Sequence, residues 1–513
     1  MINIAKAPEK AILSDKWKVS AGEEDLSVFI ALCPDGKPYC VLPEDVHKEF
    51  DGCTYGATTT KKTYFTSFTS NETTKIEITY DGEVNNFTIK PKSLNKRFIK
   101  NENKLILDIN PGEHITIEPD DDIYGSLNVF CNCFYERDNT FENVIDFERG
   151  YYSADNCEHI KINEHGIPVI ANLKDNTLIY IADGAVVNAA IILDNIKNVK
   201  ICGYGVISLL ERCHGAENAF AGDTFYGGRR YWALPNIFIK SGCEDIVIDG
   251  VTLNCEFRGI VIRNSKSITI DNVKIFTSCV NADAINTVNI QDICVKNCFI
   301  KCGDDCFAVF TSQDDIEPLA DNDYRYKTNI SKNIEICNCI MSTNCRIFMI
   351  GGHGTGKPFP DNEISNIKIH DIEIINVANN LFVFDEEHSK YWSGIFRMLS
   401  QSSQYIKDIY CENINIDWTK GYMGKAFHIE IRNDKTASYT EKAGYRIENV
   451  HFKNISFYNC PEKIQNSLII NGISDDKNAK IEKITFENVS YQNVKNSNFY
   501  DVCGAVEDIR GTD

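Results

Sequence analysis

Long apolar stretches are missing from this chain of 513 residues: no run approaches the ~18 to 20 apolar residues that cross a bilayer. The N-terminus, MINIAKAPEKAILSDKWKV, also lacks the basic flank and continuous apolar segment of a secretory signal. We therefore expect a soluble, cytoplasmic protein without a membrane partner, or a secreted one if a signal has been removed.

Clusters of Lys and Arg are missing as well. The sequence has 73 acidic and 53 basic residues, for a formal net charge of −20. Nucleic-acid binders carry a concentrated basic surface, so we expect no nucleic-acid partner. A polyanionic substrate stays open, because a local basic cleft can lie on an acidic protein.

Cysteine pairs with zinc spacing are also lacking, since no such CxxC pair appears twice. The 21 cysteines are an odd number in a chain too long for a disulfide-stapled miniprotein, and many lie in apolar strand-like stretches. We expect buried free thiols in a reducing compartment, and neither a metal nor a cofactor.

What the sequence does contain is a short repeat from about residue 195 to the end. Each unit has a polar residue, an Ile or Val, and then alternating apolar positions around a central Asn or Asp. The first Ile or Val of the units is Val199, Ile246, Ile268, Ile293, Ile334, Ile367, Ile409, Val450 and Ile484. The shortest steps, 22 and 25 residues, match one coil each, whereas the longer ones indicate two coils or one coil with a loop.

Strands that alternate with period two and repeat every twenty-odd residues predict an all-β fold, a right-handed parallel β-helix. The consensus leucines of a leucine-rich repeat and the signature of a WD propeller are absent. Residues 1–160 lack the repeat and read as hairpins, which predicts an N-terminal β-sandwich domain before a β-helix at 161–513. Uneven insertions between coils are predicted to wall a cleft.

Three aspartates form the sharpest local signal. Asp283 precedes Asp304 by 21 residues, about one coil, so we expect these two to stack on adjacent rungs with Asp305 beside them. Carboxylates held together raise one another's pKa, an arrangement that folding alone avoids. Glycoside hydrolysis uses such a set, with one carboxyl protonated and another ionised.

The motifs around these aspartates resemble those of a known clan. NAD at 281–283, GDDC at 303–306 and GGHG at 351–354 are similar to the signatures of the polygalacturonase family. IYIADGAVVNAAI at 179–191 also resembles the related dextranase and isopullulanase family, whose β-helix follows an N-terminal β-sandwich. The resemblance implies an inverting glycosidase in which Asp304 or Asp305 is the general acid, while Asp283 and the other aspartate hold the water.

Other candidate binding residues surround this motif. Asn281 belongs to the NAD motif, and Arg258 lies on the coil before Asp283. His353 follows the strand RIFMIGG, whereas the family's histidine usually precedes the matching Ile-Gly, so that Arg346 takes the histidine's place. His353 is therefore either a site residue or a loop histidine, and Arg346 is either a cleft cation or part of a structural ion pair.

The substrate is a carbohydrate of one of two kinds, an α-linked galacturonan or a neutral α-glucan. Polygalacturonases bind galacturonate through an Arg-x-Lys element, and we match that region to residues 380–392, which read NLFVFDEEHSKYW. Acidic residues there, with Glu387 beside His388, would repel a uronate and favour a neutral sugar, and Trp392 is a candidate platform for a sugar ring. Arg397, Lys390 and Arg432 could nevertheless supply cations from other loops. The alternatives are a calcium-dependent lyase and a non-catalytic β-helical glycan-binding protein, adhesin or spike. Oligomeric state is open.

Overall fold

A computed structural model describes most of the chain. The described residues are 2–34, 60–137, 140–164, 166–209, 234–255, 257–278, 282–311, 329–352, 362–377, 394–401, 403–419, 425–431, 444–462, 467–472, 478–494, 500–504 and 506–511. Within these ranges no helix is long and apolar enough to cross a membrane. The cysteines with described side chains have free thiols.

The N-terminal part forms two packed sheets. Its strands are β1 Ile2–Asn3, β2 Trp17–Ala21, β3 Glu24–Leu26, β4 Phe29–Pro34, β5 Thr60–Ser70, β6 Thr74–Tyr80, β7 Phe87–Lys90, β8 Phe98–Asn101, β9 Lys104–Ile109, β10 His114–Pro119 and β11 Leu127–Asn132, with a 3-10 helix at Lys92–Leu94. One sheet has the order β1-β5-β11-β10-β7 with β4 beside β5, and the other β3-β2-β6-β9-β8. Residues of both sheets form the core between them, among them Trp17 and Ile76 of one sheet and Ile115 and Leu127 of the other.

The rest of the described chain forms a right-handed parallel β-helix. Its strands are β12 Asn143–Phe147, β13 Gly150–Tyr152, β14 Lys161–Ile162, β15 Pro168–Ile170, β16 Thr177–Ile181, β17 Ala185–Val187, β18 Ala190–Leu193, β19 Lys197–Cys202, β20 Val206–Ser208, β21 Ile237–Ile239, β22 Glu244–Asp249, β23 Thr252–Asn254, β24 Ile260–Arg263, β25 Lys266–Asp271, β26 Lys274–Phe276, β27 Ile285–Val288, β28 Gln291–Lys296, β29 Phe299–Cys302, β30 Phe307–Phe310, β31 Asn329–Cys337, β32 Ile340–Thr343, β33 Phe348–Gly351, β34 Asn362–Val377, β35 Phe396–Ser400, β36 Tyr405–Asp417, β37 Phe427–Ile431, β38 Arg446–Tyr458, β39 Leu468–Gly472, β40 Lys480–Tyr491, β41 Tyr500–Gly504 and β42 Val506–Arg510. They form a 19-stranded and a 12-stranded sheet.

The helical sheet begins before residue 160. Strands β12 and β13 already pair in parallel with β16 and β17 of the next coil. The two-strand pattern at 143–152 is short and is followed by an irregular stretch. For this reason the sequence analysis assigned the first coil to the N-terminal domain.

Every repeat unit is one coil. The nine anchor residues pair consecutively, from Val199 with Ile246 through to Val450 with Ile484. The longer steps are therefore single coils that carry insertions, which settles the alternative left open by spacing. The anchors line one continuous core inside the helix.

Two positions in each unit have positive φ, and polar residues occupy them except at Gly203 and Gly250 of the first two units. One directly precedes the anchor, as at Asn449, and the other follows it by four residues, as at Asn413 and Asn454. Asn tolerates positive φ better than most residues, which explains the repeated Asn and Asp. Their side chains also form ladders: the Asn454 amide donates to Asn413 Oδ1 at 2.9 Å.

The sandwich packs against the outer face of the 19-stranded sheet through an aromatic cluster. Phe65 stacks on Phe276 with ring centroids 5.0 Å apart, and Phe130 meets Phe299 edge-on at 5.1 Å. Buried polar contacts join the same interface: Lys274 Nζ donates to Asn132 Oδ1 at 2.6 Å. The outer face of the 12-stranded sheet is thus left to carry the candidate site.

Candidate active site

The candidate site is a column of four charged residues on the 12-stranded sheet. Arg258, Asp283, Asp305 and Arg346 each lie two residues before a strand, namely β24, β27, β30 and β33, whose first residues are in register. Backbone hydrogen bonds continue the ladder to these positions, such as Ala284 N to Asp305 O at 2.9 Å. Adjacent rungs of a parallel sheet are about 4.8 Å apart, so two carboxylates are stacked between two guanidinium groups.

This register corrects one expectation from the spacing. Asp283 stacks with Asp305 and not with Asp304, because the coil between β27 and β30 has 22 residues and not 21. Asp304 lies one position earlier, where its backbone N donates to Ala282 O at 3.4 Å. The three carboxylates still come together.

The side-chain contacts hold the two stacked aspartates in place. Arg346 Nε donates to Asp305 Oδ1 at 2.6 Å, and its Nη2 lies 3.6 Å from Asp304 Oδ1. Arg258 Nε lies 3.8 Å from Asp283 Oδ2, and the Asn286 amide donates to that oxygen at 2.5 Å. Asn286 alternates with core residues of β27, so this bond places the Asp283 carboxylate on the outer face of the sheet.

The turn that carries Asp304 is fixed by short polar contacts with its neighbours. Thr343 Oγ1 donates to Asp304 O, and Cys302 Sγ lies 3.1 Å from the same oxygen. On the preceding coil, Thr277 Oγ1 donates to Ala282 O at 2.6 Å. The backbone of the Asp304 turn is therefore held from both sides, which orients its carboxyl group.

Burial sets the electrostatics of the site. The three aspartates are only 3–6% exposed. Burial raises the pKa of Asp305 well above its usual range, Arg346 opposes this, and the carboxylates of Asp304 and Asp283 reinforce it. Burial likewise raises the pKa of Asp283 against the effect of Arg258. A carboxyl with a raised pKa is suited to proton transfer near working pH.

A metal ion has one candidate position in the described part of the chain. Ligand atoms of Asp304, Asp305 and Cys345 lie within 4.8 Å of one another. The guanidinium group of Arg346 already contacts both of these carboxylates, so a cation there would face a like charge. The geometry thus favours an arginine-compensated carboxylate cluster over a metal centre.

The structure places some predicted site residues and leaves others untested. Arg258 and Arg346 each form an ion pair with an aspartate of the site, and a role of Arg346 in a substrate cleft stays a prediction. The remaining candidates lie outside the described residues: Asn281, His353, Glu387, His388 and Trp392.

The sequence offered Arg397 as a possible cation, but sequence reasoning missed the buried cluster that this residue forms on the same face. Arg397 Nη2 contacts Glu430 Oε2, and His428 Nε2 lies 3.5 Å from that oxygen. Arg397 lies on β35, the strand next to β33, whereas residues 380–392 lie outside the described residues, so the match to them stays a prediction. The alternation of Arg397 with the apolar residues Phe396 and Met398 is the sequence signal that could have placed this arginine on a strand.

Comparisons with known proteins concern the fold and one segment of the chain. Residues 166–415 match the family model described as glycosyl hydrolases family 28. Dex49A from Penicillium minioluteum is 14% identical with a TM-score of 0.63, covering 98% of this chain and 96% of its own. The family 28 exopolygalacturonase of Yersinia enterocolitica is 11% identical with a TM-score of 0.43, covering 86% and 96% respectively. No curated protein sequence matches the chain.

The matched segment contains all three aspartates and both arginines of the column. The chain is a β-helical glycoside hydrolase. Over residues 166–415 it is similar to glycosyl hydrolases family 28, and its overall fold is similar to that of Dex49A.

Proposed function

We propose that this enzyme hydrolyses an α-linked poly- or oligosaccharide, a galacturonan or a neutral α-glucan, with inversion at the anomeric carbon. The observation that carries the proposal is the stacked pair Asp283 and Asp305 between Arg258 and Arg346, with Asp304 beside it. Inverting hydrolysis needs a protonated carboxyl for the leaving oxygen and an ionised one for water.

Asp304 is the proposed general acid. It lies outside the stacked column, and contacts to its backbone oxygen from Thr343 and Cys302 hold its turn. Asp304 donates its proton to the glycosidic oxygen as the bond to the anomeric carbon breaks. The leaving sugar then departs as a neutral alcohol.

Asp283 and Asp305 are the proposed water-holding pair. Each contacts an arginine, so part of the cost of a second negative charge on adjacent rungs is offset. A water bound between them loses a proton to one carboxylate and attacks the anomeric carbon from the face opposite the leaving oxygen. The raised pKa of both groups makes them stronger bases than ordinary aspartates.

The test is reducing-sugar release by the wild type and by Asp304→Asn on polygalacturonate, dextran, pullulan and neutral α-linked oligosaccharides. We expect release from one substrate class and its loss in the variant. Proton NMR of the first product is expected to show the β anomer. Release of the α anomer would contradict inversion, and wild-type inactivity across the panel would contradict hydrolysis of these substrates.

A further inference from the structure

The buried cluster of Arg397, His428 and Glu430 shares the face of the catalytic aspartates. Arg397 alternates with the core residues Phe396 and Met398 on β35, and so lies on the outer side of the 12-stranded sheet. Two rungs separate β35 from β30, which places Arg397 about 10 Å along the axis from the Asp305 level. A sugar unit adjacent to the cleaved bond reaches that distance in an extended oligosaccharide.

The cluster is built around one carboxylate. Glu430 Oε2 contacts Arg397 Nη2 and lies 3.5 Å from His428 Nε2, and Arg397 Nη1 donates to His428 O at 3.5 Å. The three side chains are 1–4% exposed, much like the catalytic aspartates. At such depth an ion pair is broken only at considerable cost, because either charge would be left without its partner.

We propose that Glu430, by pairing with Arg397, makes this subsite selective for an uncharged sugar. This inference rests on the proposed hydrolytic function and narrows its substrate to the neutral class. A uronate carboxylate that approached Arg397 would lie beside Glu430, and two buried like charges repel. A sugar hydroxyl meets no such penalty, since it donates to Glu430 and accepts from Arg397.

Apolar neighbours support the same selectivity. Leu399, two residues after Arg397 on the same outer side, packs with Met349 and Phe310 in a small buried cluster. This patch offers the carbon-hydrogen face of a sugar ring an apolar surface and adds no second cation next to Arg397. Besides the column residues Arg258 and Arg346, the described part of this face carries Arg263 on β24 and Lys425 two residues before β37, and the experiment has to separate their effect.

The main comparison is between trigalacturonate and its methyl ester, which differ only at the carboxyl groups, and two neutral glucose trisaccharides extend it. Trigalacturonate and its methyl ester, together with isomaltotriose and nigerotriose, are titrated into the inert variant Asp304→Asn by calorimetry. We expect the ester or a neutral trisaccharide to bind at least about tenfold more tightly than free trigalacturonate. In Asp304→Asn/Glu430→Gln, which removes the negative charge beside Arg397, the affinity for the free acid should rise about tenfold relative to the ester.

Glu335→Gln in the same background is the matched control. Glu335 also lies beside a histidine, His370, but on the 19-stranded sheet, so its removal should leave the acid-to-ester ratio unchanged. If the protein with the unaltered cluster binds the free acid more tightly than the ester, the inference is overturned. If Lys425→Gln then loses this preference for the acid, the preference is assigned to that lysine. An unchanged ratio in the Glu430 variant, or no binding of any uncharged probe, also overturns it.

The design separates this inference from the proposed hydrolysis. Binding is measured in Asp304→Asn, so the result does not depend on turnover. The comparison of ester with acid in this variant, which keeps Glu430, does not depend on whether the Glu430 variant folds. Charge preference without wild-type hydrolysis counts against the proposed function alone. Hydrolysis that favours the free acid counts against this inference alone.

Discussion

Asp283 and Asp305 occupy equivalent positions on adjacent rungs, and arginines occupy the same position on the rungs at either side. The resulting column reads cation, anion, anion, cation along the helix axis. Stacking of like charges costs stability, and the two arginines reduce this cost without removing it, since the pKa of both aspartates stays raised.

Replacement of Asp283 by Asn is expected to separate activity from stability. Turnover should fall about 10²- to 10⁴-fold, because the water loses one of its two carboxylates. The melting temperature at pH 7 should stay equal or rise. A carboxyl whose pKa is raised by folding stabilises the folded state below its unfolded pKa, and this contribution is lost as pH rises. At neutral pH its ionised form therefore destabilises the folded state. Paired kinetics and thermal melts test this, and a clear drop in melting temperature would contradict it.

On its acid side, the profile of activity against pH should fall at a pH above the ordinary pKa range of aspartate. Water activation requires ionised Asp283 and Asp305, and burial raises the pKa of both. As pH falls, these groups therefore protonate earlier than an exposed aspartate with a pKa of about 3.9, and activity is lost at a higher pH. Measurement of kcat/KM against pH tests this prediction; an acid limb at or below pH 3.9 would contradict it.

Removal of the Arg346 charge should move that limb further. In Arg346→Gln the pKa of Asp305 loses the guanidinium group that opposes the effect of burial, so the acid limb should shift to higher pH. The maximal rate should also fall, since Asp305 loses its 2.6 Å hydrogen bond. Arg446→Gln, which alters an ion pair on the 19-stranded sheet, is the control with an unshifted profile. If the acid limb lies at the same pH in both variants, this role for Arg346 is excluded.

The repeat and its neighbours show what sequence reasoning reached and where it stopped. The nine anchors predicted the coils because inward apolar residues must recur at every rung, and the structure pairs them all in order. The stacking partner of Asp283 was wrong by one residue, since spacing does not say where within a turn a strand resumes. The Arg397 cluster was missed because Glu430 and its partner are 33 residues apart on different coils.

The lysine at the domain interface should make stability depend on pH. Burial lowers the pKa of Lys274 to about 7, whereas an unfolded lysine has a pKa of about 10.4. Between these values the unfolded chain binds more protons than the folded one, so stability from this group rises with pH over that window. Lys274→Met should give a flatter dependence of melting temperature between pH 7 and 10, while the exposed Lys368→Met follows the wild type. Parallel curves for all three proteins would contradict this assignment.

The asparagine ladder is expected to contribute stability through backbone conformation as well as hydrogen bonds. Asn413 has φ of 56°, donates to Asp371 Oδ1 at 3.1 Å and accepts from Asn454 at 2.9 Å. Asn413→Ala should lower the free energy of unfolding by about 1–2 kcal/mol, because alanine tolerates the left-handed region poorly. Asn413→Gly loses the same side-chain bonds but adopts that region readily, so it should recover most of the loss. Denaturant unfolding of both variants measures the two contributions. If Gly and Ala destabilise equally, the side-chain ladder and not the backbone conformation is the reason that Asn recurs at this corner.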